Sequence, residues 1–590
     1  MMRVSDYIVK ALEAAGINTS FAVTGGFAMH LNDSFGKSKV FSNYYHHHEQ
    51  ACGYAALGYS RMKNIPSVVS TTAGVGATNA ISPCLDAYQD SVPILFISGQ
   101  VKSFDTIRAI NATTAHKLRN YAFSDCDIIS MVSSITKYSH EITSVDEVKE
   151  VVRTAIMNLT TGRLGPVWLS VPLDIQGSLI DDTLECLAPA PTPTVINLEE
   201  VYGYLVRSER PVILAGNGIS LGNCRTKFLK FVEDTRIPVT TSSLGADVIE
   251  AASPYFVGRA GLYADRPGNF AIQNSDLLLV LGCRLSQGIV GYNPKTFARA
   301  AKIIYVDIDP NELKKEMVSY ALAINADLNT FFDSFLFSPP NYRSWIEKCT
   351  HWKQKWSYEL PPHSGTTINP YHAVNRLFEK LPENKIVLTA AGTISIIVTQ
   401  LLNIKKNDRF LVCGQYDMGP DLPMSIGAHI SDPSKHVILI TGDGTLQFNI
   451  QELQTIVHHK FPIKTVVFNN SGYGAIEITQ KTYFNNQFGV NASSGLSFPD
   501  TEKVAGAYGI KYMSARTTAD LDQAITDFVR EEGSVIFEVF CCLQGRYPKV
   551  SAVKNADGTF ASRPVEDMEP FLPRDEFLRE MIVCPLKESM

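Results

Sequence analysis

Starting at His436 the chain reads HVILITGDGTLQFNIQELQTIVHHKFPIKTVVFNN, and few folds accommodate that order of residues. Val437 to Thr441 is a short aliphatic run that stops at Gly442, Asp443 and Gly444, the pattern of a buried strand. From Asn449 to His458 the apolar residues Ile450, Leu453, Ile456 and Val457 recur at helical spacing, and Pro462 closes that segment. Thr465 to Phe468 is a second apolar run, halted by Asn469 and Asn470. Strand, helix and strand at this length make a βαβ unit, whose strands are parallel. Asp443 and Asn470, 27 positions apart, therefore fall at carboxyl ends of parallel strands, the edge where open α/β sheets bind ligands. A carboxylate, an amide oxygen and the Gly472 carbonyl suit a hard cation such as Mg²⁺, which prefers oxygen ligands shared with phosphates. Gly442 and Gly444 let the backbone approach a phosphate closely. A bare GDG is a common turn; both strands, the helix and the NN pair in register set this one apart.

The remainder of the chain repeats the same grammar. Phe21 to Val23, Val40 to Tyr45, Ser67 to Thr71, Val92 to Ser98 and Val167 to Val171 are apolar runs separated by helical or glycine-rich segments, so residues 1–180 read as a doubly wound α/β domain. The helix following HHHEQ carries small residues, Gly53 and Ala56, on one side. LAPAPTPTV, from Leu187, is a proline-rich linker. RPVILAGNG, SDLLLVLGCR and AKIIYVDID place a second α/β domain at 195–340, with strand ends that suit either a nucleotide or plain turns. SPPNYRSW through PPHSGTT reads as another linker, and residues 367–590 as a third α/β domain with a turn-rich surface tail after Phe540. The fold class expected is thus α/β, with three doubly wound parallel sheets.

Charge and composition narrow the function. The net charge of -6 argues against a nucleic-acid partner. No apolar run approaches the ~18 residues of a membrane span. The eleven cysteines are an odd number with no CxxC pair, the pattern of free thiols in a reducing cytoplasm.

Taken together, HHHEQACGYAALGYSR, TTAGVGATNAISPCLDAYQDSVPILFISGQV, VTGGFAMHLNDS, ITKYS, GRLGPVWLSVPLDIQ, RPVILAGNG, VDID, DLPMSIGAHI and the GDG…NN stretch resemble, in order and over nearly the whole chain, the acetolactate synthase group of thiamine diphosphate enzymes. The resemblance implies a pyrimidine-binding first domain, a central domain and a diphosphate-binding third domain. It implies that Glu49 hydrogen-bonds the aminopyrimidine ring so that the cofactor removes its own thiazolium proton. Read alone, Glu49 is better taken as a solvated helix-start carboxylate. By the same resemblance His48, Gly25, Gly74 and Asn79 lie near the ring or the substrate, Met418 beneath the cofactor, Gly392 and Thr393 at the diphosphate with Gly442 and Gly444, and Asp443, Asn470 and Gly472 at Mg²⁺. Arg284 and Asp309 fit an FAD site, structural rather than redox-active, although Ser286, Gly288 and Ala260 depart from its pattern. The family builds its active site between subunits, so a homodimer or homotetramer is expected. His116 sits in a polar loop where related decarboxylases keep active-site histidines; a lone loop histidine is usually just solvated.

Three departures bear on substrate. The family's Phe-Gln-Glu is Phe123-Ser124-Asp125 here, its second arginine of the central run is Gly288, and a tryptophan after the NN pair is Thr479. The last two help the family recognise a second 2-oxo acid. The expected activity is therefore decarboxylation of a 2-oxo acid, pyruvate first among them, and ligation to a ketone or aldehyde. Plain acetolactate synthesis, C–C hydrolysis of a cyclic diketone and 2-hydroxyacyl-CoA cleavage are the alternatives.

Overall fold

The computed structural model describes residues 1–184, 196–356, 366–542, 549–554 and 560–590. The proline-rich linker from Leu187 and the PPHSG stretch lie outside the described residues.

Three six-stranded parallel sheets carry the molecule. The first uses β1 (Thr19–Ala22), β2 (Ser42–Tyr45), β3 (Ser67–Thr71), β4 (Ile94–Gln100), β5 (Tyr138–Glu141) and β6 (Val167–Pro172), in the order 2-1-3-4-6-5. The second uses β7 (Pro211–Ala215), β8 (Val239–Thr241), β9 (Phe256–Arg259), β10 (Leu277–Leu281), β11 (Lys302–Asp307) and β12 (Leu322–Asn325), in the order 9-8-7-10-11-12. The third uses β13 (Lys385–Thr389), β14 (Arg409–Val412), β15 (His436–Gly442), β16 (Lys464–Asn469), β17 (Lys511–Ala515) and β18 (Val535–Phe540), in the order 14-13-15-16-18-17. The first and third sheets thus share one strand order. The central one has the order of dinucleotide-binding folds.

The strands form because their residues are β-branched or aliphatic and buried on both faces, as helix-covered parallel sheets require. β10, Leu-Leu-Leu-Val-Leu, is buried throughout. The expected βαβ unit is present: β15 pairs with β16 in parallel, Thr441 opposite Val467 and Gly442 opposite Phe468. Its helix differs from the expected 449–458. A 3-10 turn spans Thr445–Glu452 and a helix Leu453–His459, with a break at Asn449 (φ -136°, ψ 31°). Asn449 leaves the helical path because its side-chain amide bonds outward, to the Gly419 carbonyl (2.8 Å) and Gln50 Oε1 (3.2 Å).

The helix α1 (Glu49–Lys63) of the first domain crosses the helix α3 (Asp421–Ser431) of the third, following α2 (Gly392–Leu401) in sequence. They meet backbone to backbone: a Cβ at Gly58 would fall 2.2 Å from the Met424 carbonyl oxygen, and one at Gly427 1.8 Å from that of Ala55. Small side chains on α1 are what permit this approach, and it sets the relative position of the two domains.

Two expectations change. SPPNYRSW opens a helix, Arg343–Lys355, and not a linker: Trp345, Cys349 and Trp352 fall at spacings of four and three and are buried in the central core. The tail, expected to accompany the third domain, returns to the central one. Val550, Val565, Met568 and Phe577 join the central core, and buried Glu566 pairs with Arg299 at 2.8 Å. Among the described residues no helix is long and apolar enough to cross a membrane, and the cysteines are free.

Candidate active site

On the first domain the candidate side chains gather at the carboxyl ends of β1, β2 and β3. His48 caps α1, its Nδ1 accepting the Gln50 amide at 3.2 Å, so Glu49 becomes the first helical residue. His46 before it is buried and His47 exposed. Asn79 Nδ2 donates to Glu49 Oε2 at 3.0 Å. The other carboxylate oxygen, Oε1, looks onto Gly76, where a Cβ would stand 3.0 Å away. Gly25 and Gly76 both close on Thr72, with hypothetical Cβ atoms 2.5 and 2.7 Å from its side chain. Gly74 (φ 65°) lies against Ser124, whose carbonyl oxygen would be 2.5 Å from a Cβ there. Glu49, Asn79, Gly25, Gly74 and His48 thus form one patch: a half-buried carboxylate held on one oxygen, with space made by glycines beside the other. Gly76 completes it. Its place in AGVGATN, three residues before Asn79, was the available signal.

The third domain holds the second patch. Asp443 is buried; its Oδ1 accepts the Gly444 amide (2.9 Å) and its Oδ2 the Gly472 amide (3.2 Å). Asn470 Nδ2 donates to the Gly472 carbonyl at 3.0 Å. Burial, the largest influence, pushes the Asp443 carboxyl up to about 7. Among the described residues no cationic side chain pairs with it. A buried carboxylate, an amide and a carbonyl knit together without a cationic partner fit a hard divalent cation. α2 begins beside them at Gly392 (φ 84°), and Ile394 Cγ2 lies 4.0 Å from where a Gly442 Cβ would sit. The hydroxyls of Thr389, Thr393 and Ser395, at the β13–α2 junction, are buried and have no hydrogen-bond partner. Such orphaned donors at the start of a ten-residue helix fit an anion. The Tyr473 ring packs on Gly444, where a Cβ would meet it at 2.4 Å.

The two domains that carry these patches are joined along the α1–α3 seam. Met418 is half-buried in the loop before α3, between Tyr416 (φ 55°) and Gly419 (φ 97°). Asn449 ties that loop to Gln50, the neighbour of Glu49, and Glu452 accepts the His47 amide at 3.1 Å. Tyr54 Oη donates to Asp417 Oδ2 at 2.8 Å. Asp86 joins this group, its carboxyl pushed up by burial and then by Asp417 beside it. None of these seam pairs is visible from local sequence.

Arg284 lies elsewhere, in a cavity of about 1600 Å³ at the carboxyl edge of the central sheet. Asn217, Ser242, Gly282 and Asp307 line it from the central domain, and Asp90 and Gly414 from the other two. Arg284 Nη1 donates to the Gln89 carbonyl at 2.7 Å. Asp309 does not line the cavity. It pairs at 3.2 Å with Arg163, which does, and which also lies over the Tyr88 ring. Arg163 was missed because it belongs to the first domain. Gly288 lines the same cavity, whereas Thr479 is on the exposed helix α4 (Gly474–Phe484), its hydroxyl donating to the Ala475 carbonyl.

Comparison with known proteins agrees with this layout. Residues 2–121 match the thiamine pyrophosphate enzyme N-terminal TPP binding domain, residues 198–335 the central domain and residues 390–539 the C-terminal TPP binding domain. The chain is 31% identical over 562 residues to a probable acetolactate synthase 2, chloroplastic, of Oryza sativa, covering 91% of this chain and 82% of that one. It is 30% identical over 530 residues to a probable acetolactate synthase large subunit of Methanocaldococcus jannaschii, covering 86% and 87%. To the acetolactate synthase isozyme 2 large subunit of Escherichia coli it is 28% identical over 546 residues, covering 91% and 95%. With three domains in family order and a match along nearly its whole length, the chain belongs to the thiamine pyrophosphate enzymes, in their acetolactate synthase-like group.

Proposed function

We propose that this enzyme decarboxylates a 2-oxo acid, pyruvate first among them, and joins the remaining two-carbon unit to a ketone or aldehyde. The observation that carries the reading is the Glu49 carboxylate, held on one oxygen by Asn79 and facing a glycine-cleared space with the other. When bound, thiamine diphosphate supplies a thiazolium carbon that adds to the 2-oxo acid and stabilises the charge left by departing CO₂. Glu49 Oε1 would hold the proton shared with the pyrimidine ring nitrogen, Asn79 fixing its orientation. Asp443, Asn470 and the Gly472 carbonyl would hold Mg²⁺, and Thr393 with the Gly392 amide the diphosphate. Met418, on its two positive-φ hinges, would support the rings from below.

The central cavity suits FAD in a structural role: its sheet has the dinucleotide order, and Arg163 and Arg284 reach it as cations. A homo-oligomer is supported by apolar residues left exposed around the patches, among them Val75 at 76%, Phe123 at 85% and Phe484 and Phe488 at 70% each. Free, mostly buried thiols support a reducing, cytoplasmic setting.

Purified enzyme given pyruvate, thiamine diphosphate and Mg²⁺ should release CO₂ and form ligation products with added aldehydes or ketones. Failure to release CO₂ from any 2-oxo acid would overturn the reading. Plain acetolactate synthesis is the second reading, favoured by the full-length similarity to acetolactate synthases. It predicts that acetolactate dominates at every concentration of neutral acceptor.

A further inference from the structure

The loop leaving β4 runs along the carboxyl edge of the first sheet and is rooted at the Glu49 patch. Asp125 Oδ2 accepts the Ile107 amide, Gln100 Nε2 donates to the Cys126 carbonyl at 2.8 Å, and the Ser124 carbonyl sits against Gly74. Between these roots the strap reaches into solvent. It keeps a shape of its own: Asn111 receives the Leu118 amide at 2.7 Å and donates to the Leu118 carbonyl at 3.0 Å, clamping that residue from both sides. The residues flanking the clamp are Lys117 and Arg119.

Its charge runs against the rest of the molecule. The chain carries a net charge of -6, yet no acid occurs between Asp105 and Asp125, a span with Arg108, His116, Lys117 and Arg119. Arg108 feels Glu141, but neither Lys117 nor Arg119 has an ion-pair partner among the described residues. Tyr121 and Phe123 follow, exposed by 57% and 85%. Cations held on a shaped loop that is rooted at the Glu49 patch, with exposed aromatics following them in sequence, are groups suited to bind a phosphate. Meanwhile Gly288 and Thr479, the positions the resemblance assigns to a carboxylate acceptor, carry no cation to pair with an anion.

We infer that the acceptor substrate carries a phosphate or diphosphate remote from its reacting carbonyl, gripped by Lys117 and Arg119 of this strap. The inference rests on the carboligase reading above and names its acceptor class. Charge near the carbonyl is not accommodated; charge at the far end is. The strap then sets specificity without touching the reacting atoms.

The test compares D-glyceraldehyde 3-phosphate with D-glyceraldehyde as acceptors, with pyruvate as donor, in holoenzyme and in the Lys117→Ala/Arg119→Ala variant. The phosphorylated aldehyde should be preferred by about tenfold or more in kcat/KM, the worth of one good charge-assisted contact. The variant should lose that preference through KM, with kcat kept, and added salt should erode it in the wild type only. Arg119→Lys with Lys117 intact should recover part of it. Equal use of the two aldehydes by wild type, or an equal loss on both in the variant, would overturn the inference while leaving the carboligase reading intact. Release of CO₂ with ligation to neither aldehyde, nor to any neutral ketone, would remove both.

Discussion

The first and third domains share a strand order, 2-1-3-4-6-5, yet furnish their carboxyl edges with opposite chemistry. The third presents a buried carboxylate, carbonyl and amide oxygens and three orphaned hydroxyls, groups that grip a cation and an anion. The first presents one carboxylate, one amide that orients it and a floor of glycines, groups that address a neutral ring and hold a proton. On the proposed reading, one scaffold supplies affinity in one copy and reactivity in the other. The central domain, with its order 3-2-1-4-5-6, stands apart from both, and its cavity is lined by neither Glu49 nor Asp443.

That division can be broken by substitution. Glu49→Gln should lower turnover by roughly 10²–10⁴, the usual range for a general acid–base group, and leave thiamine diphosphate affinity within a few-fold. A comparable loss of affinity would mean that the first domain also anchors the cofactor. Asp443→Ala, on the other copy, should weaken Mg²⁺-dependent thiamine diphosphate binding by about 100-fold or more, measured by calorimetry, since the metal loses its one carboxylate. Wild-type binding would dissociate Asp443 from the metal.

The seam that joins the two copies makes smaller, sharper predictions. Gly427→Ala drives a Cβ into the Ala55 carbonyl and should cost about 1–3 kcal/mol as overpacking. Gly506→Ala, on an open helix face of the third domain, should be neutral or slightly stabilising. Equal melting temperatures for both would show that the helices can separate freely. His46, buried beside the seam, has both ring nitrogens unpartnered, and burial lowers its pKa to about 3. The unfolded chain takes up that proton near pH 6.5 and the folded one does not. The stability from a neutral His46 is thus complete above about pH 6.5 and lost toward pH 3, at about 1.4 kcal/mol per pH unit. Between pH 7 and pH 5 the melting temperature should fall further for wild type than for His46→Leu; parallel curves would place His46 in contact with water.

Much of this was legible in local sequence because it is local physics. Aliphatic runs ended by glycine marked β10 and β15, and the interval from GDG to NN placed Asp443 and Asn470 on neighbouring strand ends. What was hidden depends on contacts far apart in the chain. Asn449 breaks its helix because it reaches Gln50, 399 positions away. Arg163 enters the central cavity from another domain. The helix Arg343–Lys355 was masked by prolines and polar residues around it, although its two buried tryptophans carried the correct period. The equal strand orders of the outer domains had no sequence signature, since pairing order is set by packing between segments and not within them.

The division of labour between the two outer domains is tested most directly by thiazolium C2 proton exchange, followed by acid-quench NMR in Glu49→Gln saturated with thiamine diphosphate and Mg²⁺. Exchange slower than wild type by about 10²-fold or more, with the cofactor still bound, is the result expected of a proton held at Glu49. Exchange at the wild-type rate would contradict it and move the activating group elsewhere.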